Sequence, residues 1–195
     1  MLSTPSPSES SDDDLLRASA RGDVEAFGRL VERHQAPAFR FAHALTASRD
    51  AAEDVLQQAM LAAWRSAASF RGESSVRSWL LTIVRNAAFH DRARRAREPL
   101  DDRSIDELGL AAGWGAPSQE RELIAREQRE ALTRALARLA DEEREVLVLR
   151  DIEGLGGDDT AAVLQVSLAA MKSRLHRARL RLAAEVRKEM TDAAR

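Results

Sequence analysis

The side chains best suited to chemistry in this sequence are basic, and they are gathered in two short runs. Between Arg85 and Arg97 five arginines stand against one acid, a charge of +4, and between Lys172 and Arg181 five bases stand with no acid, a charge of +5. Lysine and arginine pair with phosphate oxygens, and arginine also recognises guanine edges in duplex DNA. Two separate basic runs therefore favour a polyanionic partner, nucleic acid above all.

The net charge of the whole chain, only −2, conceals this segregation. Between Asp141 and Asp159 eight acids stand against two arginines, a charge of −6. A basic run taken alone is most often a solvated helix face. The charge of each segment, rather than the total, is what indicates the partner.

Other kinds of chemistry have little support in the sequence. The chain has no Cys and only four His, which excludes disulfides and cysteine-ligated metals, and it has no glycine-rich phosphate loop. We therefore expect no enzymatic activity, no metal and no cofactor. No apolar run approaches the ~20 residues of a membrane span, and the Ser/Pro/Asp-rich start does not resemble a leader, so we expect a cytoplasmic protein.

The elements that position the basic runs are predicted to be helices. The 195 residues are rich in Ala, Leu and Arg, with 4% aromatics, and no stretch alternates long enough for a strand. The sequence predicts an all-α protein, with acids at Asp12 to Asp14 capping the first helix and Pro37 kinking or interrupting the second. The predicted organisation is a disordered tail (1–13), a helical domain (14–97), an acidic flexible linker (98–118) and a second helical domain (119–190).

The second domain contains the pattern of a helix-turn-helix, two short helices joined by a tight turn with the second strongly basic. On a helical wheel, apolar side chains of the second helix fall in one arc: Met171, Leu175, Ala178 and Leu182. The opposite arc carries Lys172, Ser173, His176 and Arg177. This helix is predicted to pack through one face and to contact DNA through the other.

Both halves together resemble the extracytoplasmic-function (group IV) sigma factors of bacterial RNA polymerase. The run Leu149-Arg150-Asp151-Ile152-Glu153-Gly154-Leu155 and the stretch from Met171 to Arg179 resemble sigma region 4. Five stretches of the N-terminal half resemble sigma region 2: Ala52 to Gln58, Ala63-Trp64-Arg65, Phe70 to Ser74, Ser78-Trp79-Leu80 and Val84-Arg85-Asn86. The chain departs from the family pattern at Gln58, at Gly156-Gly157, at Thr160 and, in the helix-turn-helix turn, at Gln165.

The resemblance implies three sets of site residues. Contacts to the minus-35 element map to Arg150, Ser167, Lys172, Ser173, His176 and Arg177. Contacts to the minus-10 element map to Arg71, Trp79, Arg85, Asn86, Arg92, Arg94 and Arg95, although Trp79 is also suited to the core. Polymerase contacts map to Asp50, Glu53, Asp54, Gln57 and Gln58.

The partners that the resemblance implies are core RNA polymerase, promoter DNA and an anti-sigma factor. On the polymerase, the expected contacts are the clamp helices of the largest subunit and the flap of the second-largest. An alternative is a helix-turn-helix transcriptional regulator whose N-terminal half binds an effector or dimerises. That alternative explains the second domain equally well, but it leaves the helix from Trp79 to Arg97 and the acidic linker unexplained.

Overall fold

The described part of the chain is built from helices and the turns between them. A computed structural model describes residues 10–46, 48–95 and 131–193. Its helices are α1 (Asp12–Ser19), α2 (Val24–Leu45), α3 (Arg49–Ser66), α4 (Val76–Arg95), α5 (131–137), α6 (Asp141–Leu147), α7 (Gly157–Leu164) and α8 (Leu168–Ala193). A 3-10 turn (Ala67–Ser69) follows α3, and a π turn (Val148–Ile152) follows α6. The all-α prediction is confirmed.

Short polar side chains cap the first three helices. The side chains of Ser11, Asp23 and Ser48 each accept a hydrogen bond from a backbone N–H three residues later, at 2.9–3.2 Å. Such caps satisfy amides that have no partner within the helix. The cap of α1 is Ser11 rather than the predicted acids, which occupy its first turn instead.

The ends of several elements differ from the sequence predictions. Helix α1 begins at Asp12, inside the span predicted to be a disordered tail, and α2 continues through Pro37 without interruption. Helix α8 extends to Ala193, beyond the predicted end. The predicted linker, 98–118, lies outside the described residues, as do residues 1–9 and 119–130.

The described helices share a core that crosses from the N-terminal half (α1–α4) to the C-terminal half (α5–α8). One buried cluster includes Phe41 of α2, Val84 of α4, Leu149 of the π turn and Met171 of α8, each at most 2% exposed. A second cluster, around Leu15 and Leu16, joins α1 to the rest of the N-terminal half. The sequence predicted two domains; the structure adds that the two halves pack against each other, α2 on α6 and α4 on α7.

The turn between α7 and α8 has an unusual backbone. Gln165 caps α7 in the left-handed conformation, with φ 57° and ψ 43°, and no other non-glycine residue of the described chain has positive φ. A side chain there crowds its own backbone, which is why helices often place glycine at this position. Gln165, where the chain departs from the family pattern, therefore makes this turn locally strained.

Replacing Gln165 by glycine is expected to raise the free energy of unfolding by about 0.5–1 kcal/mol, because glycine removes the left-handed strain while losing some entropy on folding. Thermal and urea unfolding of the variant would measure the gain. Gln165→Ala is the matched control, since it keeps the strained Cβ and should show no increase. Equal stabilities of the glycine and alanine variants would contradict this account of the turn.

Two features are absent from the described residues. None of their helices combines the length and apolarity that crossing a membrane requires. Within the same ranges, no three His, Asp or Glu side chains are grouped as metal ligands would be.

Candidate nucleic-acid interface

Helix α8 presents the two faces that its sequence pattern predicts. Met171, Leu175 and Ala178 are buried against α6 and α7. The opposite face, which we call the α8 basic face, consists of exposed side chains: Lys172, Ser173, His176 and Arg177. Helix α8 is thus fixed to the protein by one side and is free to enter a DNA groove with the other.

The other arginines of the same run are held by acids of the C-terminal half. Arg179 makes two hydrogen bonds to Asp151, at 2.6 and 3.0 Å. Arg174 pairs with Glu142 at 3.2 Å, and Arg181 pairs with Glu143 at 3.1 Å. Neither Lys172 nor Arg177 has an ion pair with any part of the chain that the structure describes. The cations left available for phosphates are therefore those on the α8 basic face.

The two remaining residues of the predicted minus-35 set lie apart from this face. Ser167 caps α8, where its Oγ accepts a hydrogen bond from the N–H of Ala170 at 3.2 Å. Arg150 is partly buried, and its Nη1 donates to the carbonyl of Leu155 in its own half. A contact between Arg150 and DNA would require its guanidinium to leave that carbonyl.

Two arginines of the predicted minus-10 set, Arg85 and Arg92, face the C-terminal half. The side chain of Arg85 is only 13% exposed; it donates to Glu145 Oε2 at 3.0 Å and lies over the ring of Phe89, 4.5 Å from its centre. Arg92 pairs with Asp141 at the start of α6. In the structure these two arginines therefore form ion pairs with acids of the same protein.

The rest of the predicted minus-10 set is distributed along α4 and the turn before it. Asn86 and Arg71 are exposed. Arg94 and Arg95 both bind the buried carboxylate of Asp91, at 2.8 and 2.6 Å. Trp79 is half-buried with its ring 5.3 Å from that of Phe70, so it belongs to the second core cluster, as the apolar neighbours in its sequence indicated.

Helix α3 carries the predicted polymerase contacts on one surface. Its apolar stripe, with Val55, Ala59 and Ala63, is buried. All five predicted residues are exposed on the remaining surface, which we call the α3 acidic face: Asp50, Glu53, Asp54, Gln57 and Gln58. Leu61, one helical turn beyond Gln57 and Gln58, is 50% exposed and was missed by the sequence predictions. Leu61 does not share the spacing of the buried stripe, and this difference could have predicted from the sequence that it lies on the exposed surface of α3.

The acidic segment of 141–159 also escaped assignment from the sequence. Six of its eight acids pair with arginines, and the pairs divide between two sides. Three acids bind α8: Glu142, Glu143 and Asp151. The other three bind the N-terminal half: Asp141, Glu145 and Glu153. Burial raises the pKa of the Glu145 carboxyl, and the adjacent Arg85 opposes that rise.

Comparison with known protein families gives matches to both halves. Residues 30–98 match Sigma-70 region 2, and residues 129–182 match Sigma-70, region 4. The chain is 40% identical over 179 residues to the ECF RNA polymerase sigma factor SigM of Mycobacterium tuberculosis, an alignment that covers 90% of this chain and 84% of that protein. It is 30% identical over 170 residues to the ECF RNA polymerase sigma-E factor of Escherichia coli, covering 85% and 88%.

Solved structures also resemble this fold over most of its length. CnrH in complex with the cytosolic domain of CnrY matches with a TM-score of 0.65 and 30% identity, covering 93% of this chain and 97% of that one. The sigma factor RpoE in complex with the anti-sigma factor NepR from Bartonella quintana matches with a TM-score of 0.69 and 27% identity, covering 84% and 98%. In both structures the matching chain is in complex with another protein.

Proposed function

This chain belongs to the extracytoplasmic-function RNA polymerase sigma factors, and we propose that α8 and α4 contact promoter DNA while α3 contacts the polymerase. As a sigma factor it directs core RNA polymerase to promoters and assists the opening of DNA. The observation that carries the residue assignment is the α8 basic face, whose cations have no ion pair within the described residues while the neighbouring arginines are held by acids.

The α8 basic face is assigned to the minus-35 element. Lys172 and Arg177 are five residues apart, about 1.4 helical turns, and both are exposed on this face. Arginine recognises guanine through two hydrogen bonds, and lysine binds guanine or phosphate. Ser173 is short enough for the helix to approach the DNA closely, and the N–H groups at the start of α8 add a site for a phosphate.

The exposed side of α4 is assigned to the minus-10 element. Asn86 offers both a donor and an acceptor to a base edge. One turn later Phe89 is 41% exposed, a large aromatic ring on which an unstacked base can rest. Phe89 was absent from the sequence predictions because it is a single apolar residue within a basic run. The sequence there does not show whether the ring is buried in the core or exposed.

The α3 acidic face is assigned to the clamp helices of the polymerase largest subunit. Three carboxylates, two amides and the apolar Leu61 form one continuous stripe, a mixture suited to a basic surface with an apolar patch at one end. The flap of the second-largest subunit is the contact proposed for the C-terminal half. By likeness to the structures described above, an anti-sigma factor is a further proposed partner. This work takes place where the polymerase acts, in the cytoplasm, and requires no catalytic group of the chain's own.

The decisive experiment reconstitutes the chain with core RNA polymerase and measures run-off transcription over a randomised promoter library. Promoter-dependent transcripts are expected, with two conserved elements among the selected templates. Replacing Arg177 by alanine should lower promoter affinity of the holoenzyme by about tenfold, the effect of losing one good base contact. Footprinting or fluorescence anisotropy would measure it.

Arg17→Ala is the matched control for that variant, because Arg17 is an exposed arginine on α1 and is not among the proposed DNA contacts. It should leave promoter affinity unchanged. Absence of polymerase binding in a pull-down would instead favour the helix-turn-helix regulator. Equal promoter affinity of Arg177→Ala and the parent protein would refute the assignment of the α8 basic face alone.

A further inference from the structure

One arginine beside the α8 basic face is held by an acid of the π turn. The carboxylate of Asp151 accepts a hydrogen bond from Arg179 Nε at 3.0 Å and another from Nη2 at 2.6 Å, so the pair is bidentate. An arginine has five N–H donors in a rigid fork, and this pair uses only part of them. Nη1 of Arg179 donates no hydrogen bond within the described residues. The carboxylate therefore fixes the plane of the guanidinium and leaves the N–H groups of Nη1 unused.

Arg179 lies along one edge of the α8 basic face. It follows Lys172 by seven residues, so the two side chains leave the helix within about 20° of each other. The side chain of Arg179 is 55% exposed. A helix with its side chains is about 10–12 Å across, and the major groove is about 12 Å wide. A helix that fills the groove therefore has its edges against the two phosphate backbones.

The π turn places Asp151 beside this edge. Asp151 lies within Val148–Ile152, directly after Arg150, which belongs to the proposed minus-35 set. The N–H of Glu153 closes the turn on the carbonyl of Val148 at 2.8 Å. π turns are rare and occur frequently at functional sites. The side chain of Asp151 is 36% exposed, so a phosphate that approaches Arg179 also approaches this carboxylate.

The pairs at the opposite edge of α8 have a different geometry. Arg181 donates to Glu143 through Nη1 alone, at 3.1 Å to each carboxylate oxygen. Arg174 lies 3.2 Å from Glu142, and its side chain is only 17% exposed. Two nitrogens bound to two oxygens hold a guanidinium in one plane, whereas a single nitrogen leaves it free to turn. Among the three α8 arginines, Arg179 is thus the exposed one whose orientation is fixed.

The pair of Asp151 and Arg179 has different effects on correct and incorrect DNA complexes. Because its charges cancel, the pair adds nothing to the counterion release that drives sequence-independent binding. A phosphate that lies in front of Nη1 still accepts its hydrogen bonds, and the ordered side chain loses little entropy on making them. Only the register that places a phosphate at that point gains this contact.

We propose that Asp151 is a positioning residue for minus-35 recognition, which directs Arg179 at one backbone phosphate and so favours the correct register. This role rests on the function proposed above, in which the α8 basic face contacts the minus-35 element. Phosphate contacts fix the register of a protein on DNA without reading the bases themselves. Without the carboxylate, Arg179 is a flexible free cation that attracts a phosphate in any register.

The test compares holoenzyme binding to two promoter duplexes that differ only in the minus-35 element. One carries the sequence selected by run-off transcription, and the other carries the same bases scrambled. Asp151→Asn should bind the scrambled duplex about eightfold more tightly at 0.1 M salt, because one added phosphate contact changes log K by about 0.9 per tenfold change in salt. Affinity for the intact duplex should change less than about twofold, since the released charge and the lost ordering of Arg179 oppose each other.

Salt titration provides the second readout. On the scrambled duplex, the slope of log K against log salt should steepen by about 0.9 in Asp151→Asn. Asp158→Asn is the matched control, because Asp158 is exposed on α7 and has no ion pair within the described residues. It removes the same charge from the same half without releasing an arginine, and it should keep the parent's preference and slope.

A double-mutant cycle shows whether Asp151 acts through Arg179. Arg179→Ala alone should weaken binding to the intact duplex by about tenfold, because the phosphate loses its donor and faces the carboxylate alone. In that background Asp151→Asn should raise the affinity for both duplexes equally and leave their ratio unchanged. Asp151→Glu keeps a carboxylate for the bidentate pair and should recover most of the parent's preference. An exposed ion pair adds little to stability, so all of these variants are expected to fold.

Each result bears on the positioning role or on the proposed function separately. The positioning role is wrong if Asp151→Asn keeps the parent's preference, or lowers it equally in the Arg179→Ala background. It is also wrong if Asp158→Asn has the same effect, because net charge alone would then explain the change. If Arg177→Ala binds the intact duplex as the parent does, or the parent does not distinguish the two duplexes, the assignment of the α8 basic face itself fails.

Discussion

Truncating Phe41 to alanine is expected to lower the free energy of unfolding by about 3–5 kcal/mol. Phe41 is 0% exposed and is the largest side chain of the cluster that joins the two halves. Its removal loses the transfer energy of the ring and leaves a cavity that α2, fixed by its neighbours, cannot close. Since domains of this size are stable by about 5–15 kcal/mol, the loss is a large share of the total.

Urea unfolding followed by circular dichroism would measure this effect, and hydrogen exchange would locate it. Because the cluster contains Val84 of the N-terminal half and Met171 of the C-terminal half, protection should fall in both halves together. Phe89→Ala is the control, since that ring is 41% exposed and its loss should cost about 1 kcal/mol or less. A loss of protection confined to α1–α4 would show that the halves are stabilised separately.

The features predicted best from sequence are those specified by local pattern. The two faces of α8 follow from the spacing of Met171, Leu175 and Ala178, because a helix turns by a constant angle per residue whatever surrounds it. The α3 acidic face was predicted in full, apart from Leu61, because its buried stripe is regular.

The features that escaped prediction depend on contacts distant in sequence. Counting charges showed that 141–159 is acidic, but it did not show that Glu145 meets Arg85 or that Glu153 meets Arg40. Sequence spacing carries no information about which helices lie side by side across 60 or more residues. The π turn is equally hidden, since its residues are ordinary helix formers and only packing selects the wider turn.

The near-zero net charge reflects nearly equal numbers of acidic and basic residues, and many of them pair with each other in the described structure. The acidic segment lies between two basic regions in the sequence, and its acids pair with three arginines of α8 and with four arginines of the N-terminal half. Most cations of the described chain pair with acids, and Lys172 and Arg177 of the α8 basic face are among those that do not. We therefore expect the free protein to bind duplex DNA poorly, because binding by counterion release requires cations that are not already neutralised.

Replacing Asn86 by alanine should slow open-complex formation by about tenfold, which corresponds to the roughly 1–3 kcal/mol of one good base contact. Asn86 is exposed at the middle of α4, between Arg85 and Phe89 in sequence. Extruding a base costs a few kcal/mol, and the protein must offset that cost with contacts made only to the extruded base. An amide that both donates and accepts is suited to that task, and alanine can do neither.

The measurement uses reconstituted holoenzyme and a fluorescent base analogue in the minus-10 element, whose emission rises as the strands separate. Thermal stability of the variant should match the parent, because the side chain is exposed and its loss leaves no cavity. On a template with a premelted minus-10 region the defect should shrink, since the cost of opening has already been met. Parent-like opening on the duplex, or a defect of equal size on the premelted template, would show that Asn86 does not capture the extruded base.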